Sequence, residues 1–465
     1  MESSDTHISR ISKFLIDRDD LTAEAAFDRR RRYAVTLRCG ADVGNSYTLQ
    51  VAVLTAARIA SRCFPGALRI ALEGNLASAP LLIWPAFKQT FAQALIGLLG
   101  ESVCTEPGNR EYDPQVVILG NAAPIGGALR ATFDGWVAMV GPAVDTDRLP
   151  EREYCSLAGI LTASLAISEL FSSFAEISVE ANRRTIALSL WQPAADARDP
   201  TALGVPVQYL PGDLWILGLG HLGNAYLWSL ATLPYRNPRA VEIFLNDFET
   251  IEPENLETGI IFKSENLSRH KTRVCSDWLE KLGFRTKIVE RQFDSRFRCR
   301  IDEPRLALCG FDSNSARRDL YTAEFIRVIE AGLGGTPDNF DAISLHTLPN
   351  PRKAQDLWPD LSAGEIAKRI ASQERLARQN GAYARLAHDE CGRYELAGKS
   401  VAVPFVGTAA ASMVLAESLR LLHRGPACRD IKLTLSSPDS RIAHSIGNYG
   451  GEDFAGLKFC DCRVA

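Results

Sequence analysis

The feature that most constrains this chain is a strand–glycine loop–helix–strand unit between Leu214 and Asp247. Asp213-Leu214-Trp215-Ile216-Leu217 is a short apolar run of the kind that forms a buried parallel strand. Gly218-Leu219-Gly220-His221-Leu222-Gly223 follows and matches G-x-G-x-x-G, and Asn224 to Leu230 reads as a helix. A second apolar run, Val241 to Asn246, ends at Asp247. Glycines permit the tight turn and let backbone N–H groups approach a phosphate, while the helix N-terminus adds partial positive charge. An acid after the second strand accepts from ribose hydroxyls. The motif alone does not choose between NAD and ATP.

The 465 residues suffice for two or three domains, with 46% hydrophobic and 23% charged residues, the balance of a soluble globular protein. A net charge of -4 gives no global attraction to nucleic acid, and the run Arg29-Arg30-Arg31-Arg32 reads as a solvated helix end. The acidic start, Met1-Glu2-Ser3-Ser4-Asp5, lacks the features of a signal peptide. The most apolar helix candidates, 157–171 and 405–422, are interrupted by Ser, Thr and Glu. A cytoplasmic protein without membrane or nucleic-acid partners is expected. The eleven cysteines are scattered and show no CxxC pair, so free, buried thiols are expected rather than disulfides or zinc.

The residues after Asp247 narrow the chemistry. Asp247-Phe248-Glu249-Thr250-Ile251-Glu252-Pro253-Glu254-Asn255-Leu256 is followed by Lys271, and a further apolar strand, Leu306 to Gly310, leads into Phe311-Asp312. This order and spacing resemble the adenylating family of ubiquitin-activating enzymes and their ThiF/MoeB-type bacterial relatives, which activate sulfur-carrier proteins. The resemblance implies ATP and Mg2+ as cofactors. It implies that Asp247 holds the ribose, that Asn255 lies against the phosphates, and that Lys271 neutralises them. Asp312 would ligate Mg2+ and position the α-phosphate. A carboxylate attacking ATP gathers negative charge on both partners, which a lysine and a metal offset at fixed positions. Taken singly, Lys271 also reads as a surface lysine and Asp312 as a helix N-cap before Ser315-Ala316-Arg317-Arg318. The family has N-L-x-R-Q where this chain has Asn255-Leu256-Glu257-Thr258-Gly259. Thr258 therefore stands where an arginine is expected. Either Lys263, Arg269 or Arg273 substitutes, the favoured reading, or adenylation is weakened.

A second, degenerate copy precedes the first. Val35 to Tyr47 lines up with Leu214 to Tyr226 at a constant offset, with Cys39 and Ala41 in the places of Gly218 and Gly220. Ala158 to Glu169 likewise repeats Val406 to Glu417, with Gly, Ala, Ser and Glu recurring. The expected fold is α/β: two tandem Rossmann-like adenylation folds forming a pseudo-dimer. The first, inactive one spans 1–200 and the active one 201–465, with a helical crossover segment at about 350–400. In the family, an N-terminal arginine from the inactive half reaches the ATP site, and Arg10 and Arg18 are candidates here.

The resemblance places a catalytic cysteine on the crossover, before the P-F-x-G helix that begins at Pro404. Cys391 occupies that interval, with Cys460 and Cys462 as rivals. The implied activity is adenylation of a ubiquitin-like protein's C-terminus, a thioester on Cys391, and transfer to a conjugating enzyme. The sequence leaves a homodimer open. High Ala and Arg content suggests a bacterial source and, by association, antiviral defence. The alternatives are a sulfur-carrier-protein adenylyltransferase, a dinucleotide-dependent oxidoreductase, and a non-catalytic scaffold with a lapsed ATP site.

Overall fold

The computed structural model describes residues 8–65, 68–100, 115–386, 390–451, 453 and 455–463. Six strands form the first sheet: β1 (Val35–Cys39), β2 (Leu68–Leu72), β3 (Gln115–Leu119), β4 (Leu129–Asp134), β5 (Val137–Pro142) and β6 (Ile186–Ser189), in the order β2-β1-β3-β4-β5-β6. After β7 (Tyr209–Pro211) come β8 (Asp213–Leu217), β9 (Glu242–Asn246), β10 (Arg285–Val289), β11 (Leu306–Cys309), β12 (Arg327–Leu333), β13 (Ala342–Leu348), β14 (Pro426–Thr434), β15 (Ile442–Asn448) and β16 (Phe459–Asp461). The second sheet runs β10-β9-β8-β11-β12-β13-β14-β15, and β16 pairs with β7.

The strand order of the first sheet recurs inside the second as β9-β8-β11-β12-β13-β14. The directions recur too: parallel up to the fourth strand, then antiparallel at β4/β5 and β5/β6, as at β12/β13 and β13/β14. The chain is thus α/β with parallel-rich sheets, as its alternating apolar runs and helices imply.

The register corrects one detail of the sequence alignment. Cys39 pairs with Leu72 and Leu119, as Leu217 pairs with Asn246 and Cys309. Cys39 therefore corresponds to Leu217 and is a buried strand residue, and Gly40 stands in the place of Gly218. The loop that follows is a 3-10 turn, Ala41–Asn45, rather than a glycine turn. Strand pairing, not sequence offset, fixes which residue leaves the sheet.

Long helices join the sheets. Leu157–Phe174 packs on Tyr47–Cys63, β4 and β5, while Pro404–Leu422 packs on His221–Ala231, β12, β13 and Leu157–Phe174. Both are long and apolar enough to cross a membrane by composition, but 94% of each window is buried inside this fold. Their glycines permit close approach: a Cβ on Gly159 would lie 2.5 Å from the Thr48 carbonyl oxygen, and one on Gly407 would lie 2.4 Å from His221 Nε2. Ser164 and Thr408 hydroxyls meet between the two helices at 2.7 Å. One continuous hydrophobic core includes residues of both sheets. The arginine run at 29–32 closes the helix Ala23–Arg32, yet Arg30 is buried and donates to the Cys63 carbonyl at 3.0 Å and to Ser12 Oγ at 2.8 Å.

The segment expected as a crossover holds the helices Ala363–Gln379, Gly381–Leu386 and Glu390–Gly398. Ser362 and Glu365 cap the first reciprocally. Cys391 lies in the first turn of the last helix, and its side chain is outside the described residues.

Candidate functional site

The strands β9, β8 and β11 are adjacent and parallel, so their C-terminal ends open on one edge of the sheet. Gly218, Asp247 and, after Gly310 and Phe311, Asp312 leave the sheet there. This is the crevice where open α/β sheets bind ligands. Gly218 turns the chain with φ of 80°, a conformation that only glycine adopts freely. Gly223 is required for a different reason: a Cβ there would lie 1.9 Å from the Gly218 carbonyl oxygen. A Cβ on Gly220 would meet open space, so the fold itself makes no demand for glycine at that position.

The helix His221–Ala231 starts at Gly220, and no side chain caps it. Its first-turn N–H groups and dipole are therefore available to an anion. Asn224, fully buried, holds the surrounding loops. Its Nδ2 donates to the Leu219 carbonyl at 2.9 Å, and its Oδ1 accepts from Ile261 N–H at 3.2 Å. Sequence reading gave this residue no role at the site. Burial and the Arg10 charge depress the His221 imidazole to about 3, so the ring is neutral.

Asp247 accepts Leu219 N–H at 2.7 Å and Glu249 N–H at 2.9 Å. Burial raises its pKa, with the Lys271 charge and these N–H donors opposing. Lys271 is 4% exposed and pairs with the Glu249 carboxylate, so it is no surface lysine. Asn255 begins the short helix Asn255–Thr258, and its Oδ1 accepts from Glu252 N–H at 2.9 Å. Asp312 is exposed, and the helix that follows, Asn314–Asp319, has Ser313 as its N-cap residue, so Asp312 does not cap it.

The basic residues resolve differently from the sequence expectation. Lys263 donates to the Gly97 carbonyl at 3.3 Å, Arg269 pairs with Asp277 and Arg273 with Glu290. All three are exposed and contact these other groups here, and Thr258 is a buried threonine. Arg18 donates to the Ala175 carbonyl and pairs with Asp19. Arg10 reaches the site instead: its Nε donates to the Ser400 carbonyl at 3.0 Å, and it lies within electrostatic reach of Glu254, Asp312 and Glu257, while burial lowers its pKa. Next to Ser400, Lys399 places Nζ 2.7 Å from Glu254 Oε2. Burial opposes ionisation of Glu254, but the Lys399 hydrogen bond and charge and the Arg10 charge outweigh it and lower the pKa.

The rival cysteines lie elsewhere. Cys460 is on β16, beside Asp213 at the amino end of β8, and Cys462 bridges to Tyr235. Five strand residues, about 17 Å, separate that end from the glycine loop. Burial raises both thiols, Cys462 to about 11. The corresponding place in the first sheet is also different in kind. There the helix Tyr47–Cys63 is capped by Ser46, and Glu153 accepts from Thr48 N–H at 3.1 Å and Thr48 Oγ1 at 2.8 Å. A cavity of about 1410 Å³ opens beside it, lined by Glu153, Arg152, Tyr209, Arg236 and Cys462 among others.

Comparison with known proteins accounts for the arrangement. The chain matches the family described as BilD N-terminal domain over residues 34–190 and that described as BilD C-terminal domain over residues 210–425. It is 35% identical over 429 residues to the bacterial E1-like protein BilD of Collimonas sp. (strain OK412), covering 91% of this chain and 90% of that protein. Among solved structures, E. coli MccB with ATP has a TM-score of 0.35 at 14% identity, covering 70% of this chain and 96% of that one. E. coli MccB with MccA-N7isoASN has a TM-score of 0.33 at 15% identity, covering 51% of this chain and 65% of that one, less than two thirds. These two are remote likenesses. The resemblance carried by the motifs around Asp247, Asn255, Lys271 and Asp312 is borne out by the curated relative, and the chain belongs to the family of the bacterial E1-like protein BilD.

Proposed function

We propose that the chain is an ATP-dependent activating enzyme for a ubiquitin-like protein, built as two adenylation-type halves of which the second is active. One observation carries this reading. The helix that begins at His221 has an uncapped N-terminus between Asp247 and Asp312, while its counterpart at Tyr47 is capped by Ser46 and Glu153. Open space at Gly220 and an uncapped helix start suit a nucleotide's phosphates. Asp247 would hold the ribose, Asn255 and Lys271 would lie at the phosphates, and Arg10 would reach over them from the N-terminal segment. Asp312 would hold Mg2+, which takes one or two carboxylates beside phosphates and water and would neutralise charge there.

The modifier's terminal carboxylate attacks the α-phosphate, a P–O bond forms, and pyrophosphate leaves. The Cys391 thiolate then attacks the acyl carbon, the S–C bond forms as the C–O bond to AMP breaks, and a conjugating enzyme accepts the acyl group by exchange of thioesters. ATP–pyrophosphate exchange that depends on a ubiquitin-like partner tests the first step. Absence of exchange together with tight NAD binding would sink the reading. A reducible enzyme–modifier adduct that disappears in Cys391→Ala, while exchange persists, tests the second. An adduct that survives the substitution assigns the thioester elsewhere.

A further inference from the structure

The family's arginine is missing at Thr258, and the three nearby basic residues are engaged elsewhere: Lys263 with Gly97, Arg269 with Asp277, Arg273 with Glu290. One cation on the crossover segment meets the same loop from outside. Lys399 Nζ lies 2.7 Å from Glu254 Oε2, adjacent in sequence to Asn255, although the two residues are 145 positions apart. The pair is partly enclosed, with the lysine side chain 24% and the glutamate side chain 16% exposed.

The backbone around Lys399 is fastened at several points. Lys399 N–H donates to the Leu396 carbonyl at 3.3 Å, Val401 N–H to the Gly335 carbonyl at 2.8 Å, and Ala402 N–H to the Arg10 carbonyl at 3.3 Å. Arg10 in turn holds the Ser400 carbonyl at 3.0 Å. The side chain is not fastened in this way. A lysine carries a compact charge on a flexible four-carbon stem with three donors, so it pivots between acceptors without moving its backbone. A triphosphate presents several negative charges against the single charge of Glu254, and lysine is a phosphate ligand in other nucleotide sites.

We propose that Lys399 is a phosphate-binding residue, paired with Glu254 and transferred to the β- and γ-phosphates of ATP when nucleotide enters. It supplies the charge that Thr258 does not. The inference rests on the adenylation reading above. It has a consequence for the crossover: Lys399 follows the helix that bears Cys391, so occupancy of the nucleotide site is felt by the cysteine's own segment. At 1.5 Å per residue, Cys391 lies about 10 Å back along that helix from Gly398.

The test uses the full chain and two probes, ATP with Mg2+ and AMP, with binding measured by calorimetry and folding by thermal melts. Lys399→Ala is expected to weaken ATP at least tenfold and to leave AMP unchanged, with Lys399→Arg retaining most of the ATP affinity. Glu254→Gln removes the competing carboxylate and is expected to tighten ATP severalfold. Equal weakening of ATP and AMP in Lys399→Ala overturns the inference, and so does weakened ATP binding in Glu254→Gln, because both mark the pair as a structural bridge only. If Lys399→Ala does not fold, Glu254→Gln decides alone. A wild-type chain that binds neither nucleotide overturns the adenylation reading, and this inference with it.

Discussion

Asn224 Oδ1 accepts the Ile261 N–H at 3.2 Å, tying the helix behind the glycine loop to a segment 37 residues on. The same carboxamide donates to the Leu219 and Gly220 carbonyls at 2.9 and 3.3 Å. Asn224→Ala strands buried groups on both sides, at a cost of about 2–3 kcal/mol. Chemical denaturation should show that loss, and nucleotide affinity should fall with it because both loops slacken.

Gly220 and Gly223 should part company. Gly220→Ala places its Cβ in open space at φ of -72°, so stability should change by no more than about 1 kcal/mol, while ATP affinity drops at least about tenfold as the methyl group fills the phosphate approach. Gly223→Ala puts a methyl group 1.9 Å from the Gly218 carbonyl oxygen and should destabilise the fold by more than about 3 kcal/mol. Paired melts and ATP titrations separate the two.

Asp312 is exposed, and Asp312→Asn should leave the melting temperature unchanged. If the residue holds the metal, exchange should fall by about 100-fold or more. Unchanged exchange would remove it from the site.

The His221 ring titrates at about 3 in the folded protein against 6.5 unperturbed, so it is held neutral. The unfolded chain takes up a proton below about 6.5 that the folded chain refuses until about 3. Stability from this group is complete above about 6.5 and is lost as pH falls toward 3. Between pH 7 and 5 the loss is about 2 kcal/mol. Urea midpoints of the wild type should drop by that much more over this range than those of His221→Gln.

What the sequence made legible was local. The glycines, Asp247, Asn255, Lys271 and Asp312 stand near one another along the chain or at the ends of apolar runs, and periodicity places such residues well. The small-residue helices containing Gly159 and Gly407 were legible too, because close packing leaves a compositional mark. Arg10 and Lys399 were harder. They arrive from the N-terminal segment and from the end of the helix Glu390–Gly398, and only the folded backbone brings them beside Glu254. The position of Cys39 was misjudged by one residue because strand register depends on neighbours that a linear alignment does not contain. Arg30 was read as solvated, yet it is buried on carbonyl and hydroxyl acceptors that lie 18 to 33 residues away.

Glu153 has a consequence for counting. A carboxylate tethered to the chain sits at the start of the helix Tyr47–Cys63, where it is present at a fixed, very high local concentration. A dissolved anion has to compete with that tethered carboxylate for the same donors. Under the proposed activity, the two similar sheets would then take a single nucleotide per polypeptide, because only the second leaves its helix start without a side-chain cap, and a cycle would proceed one modifier at a time.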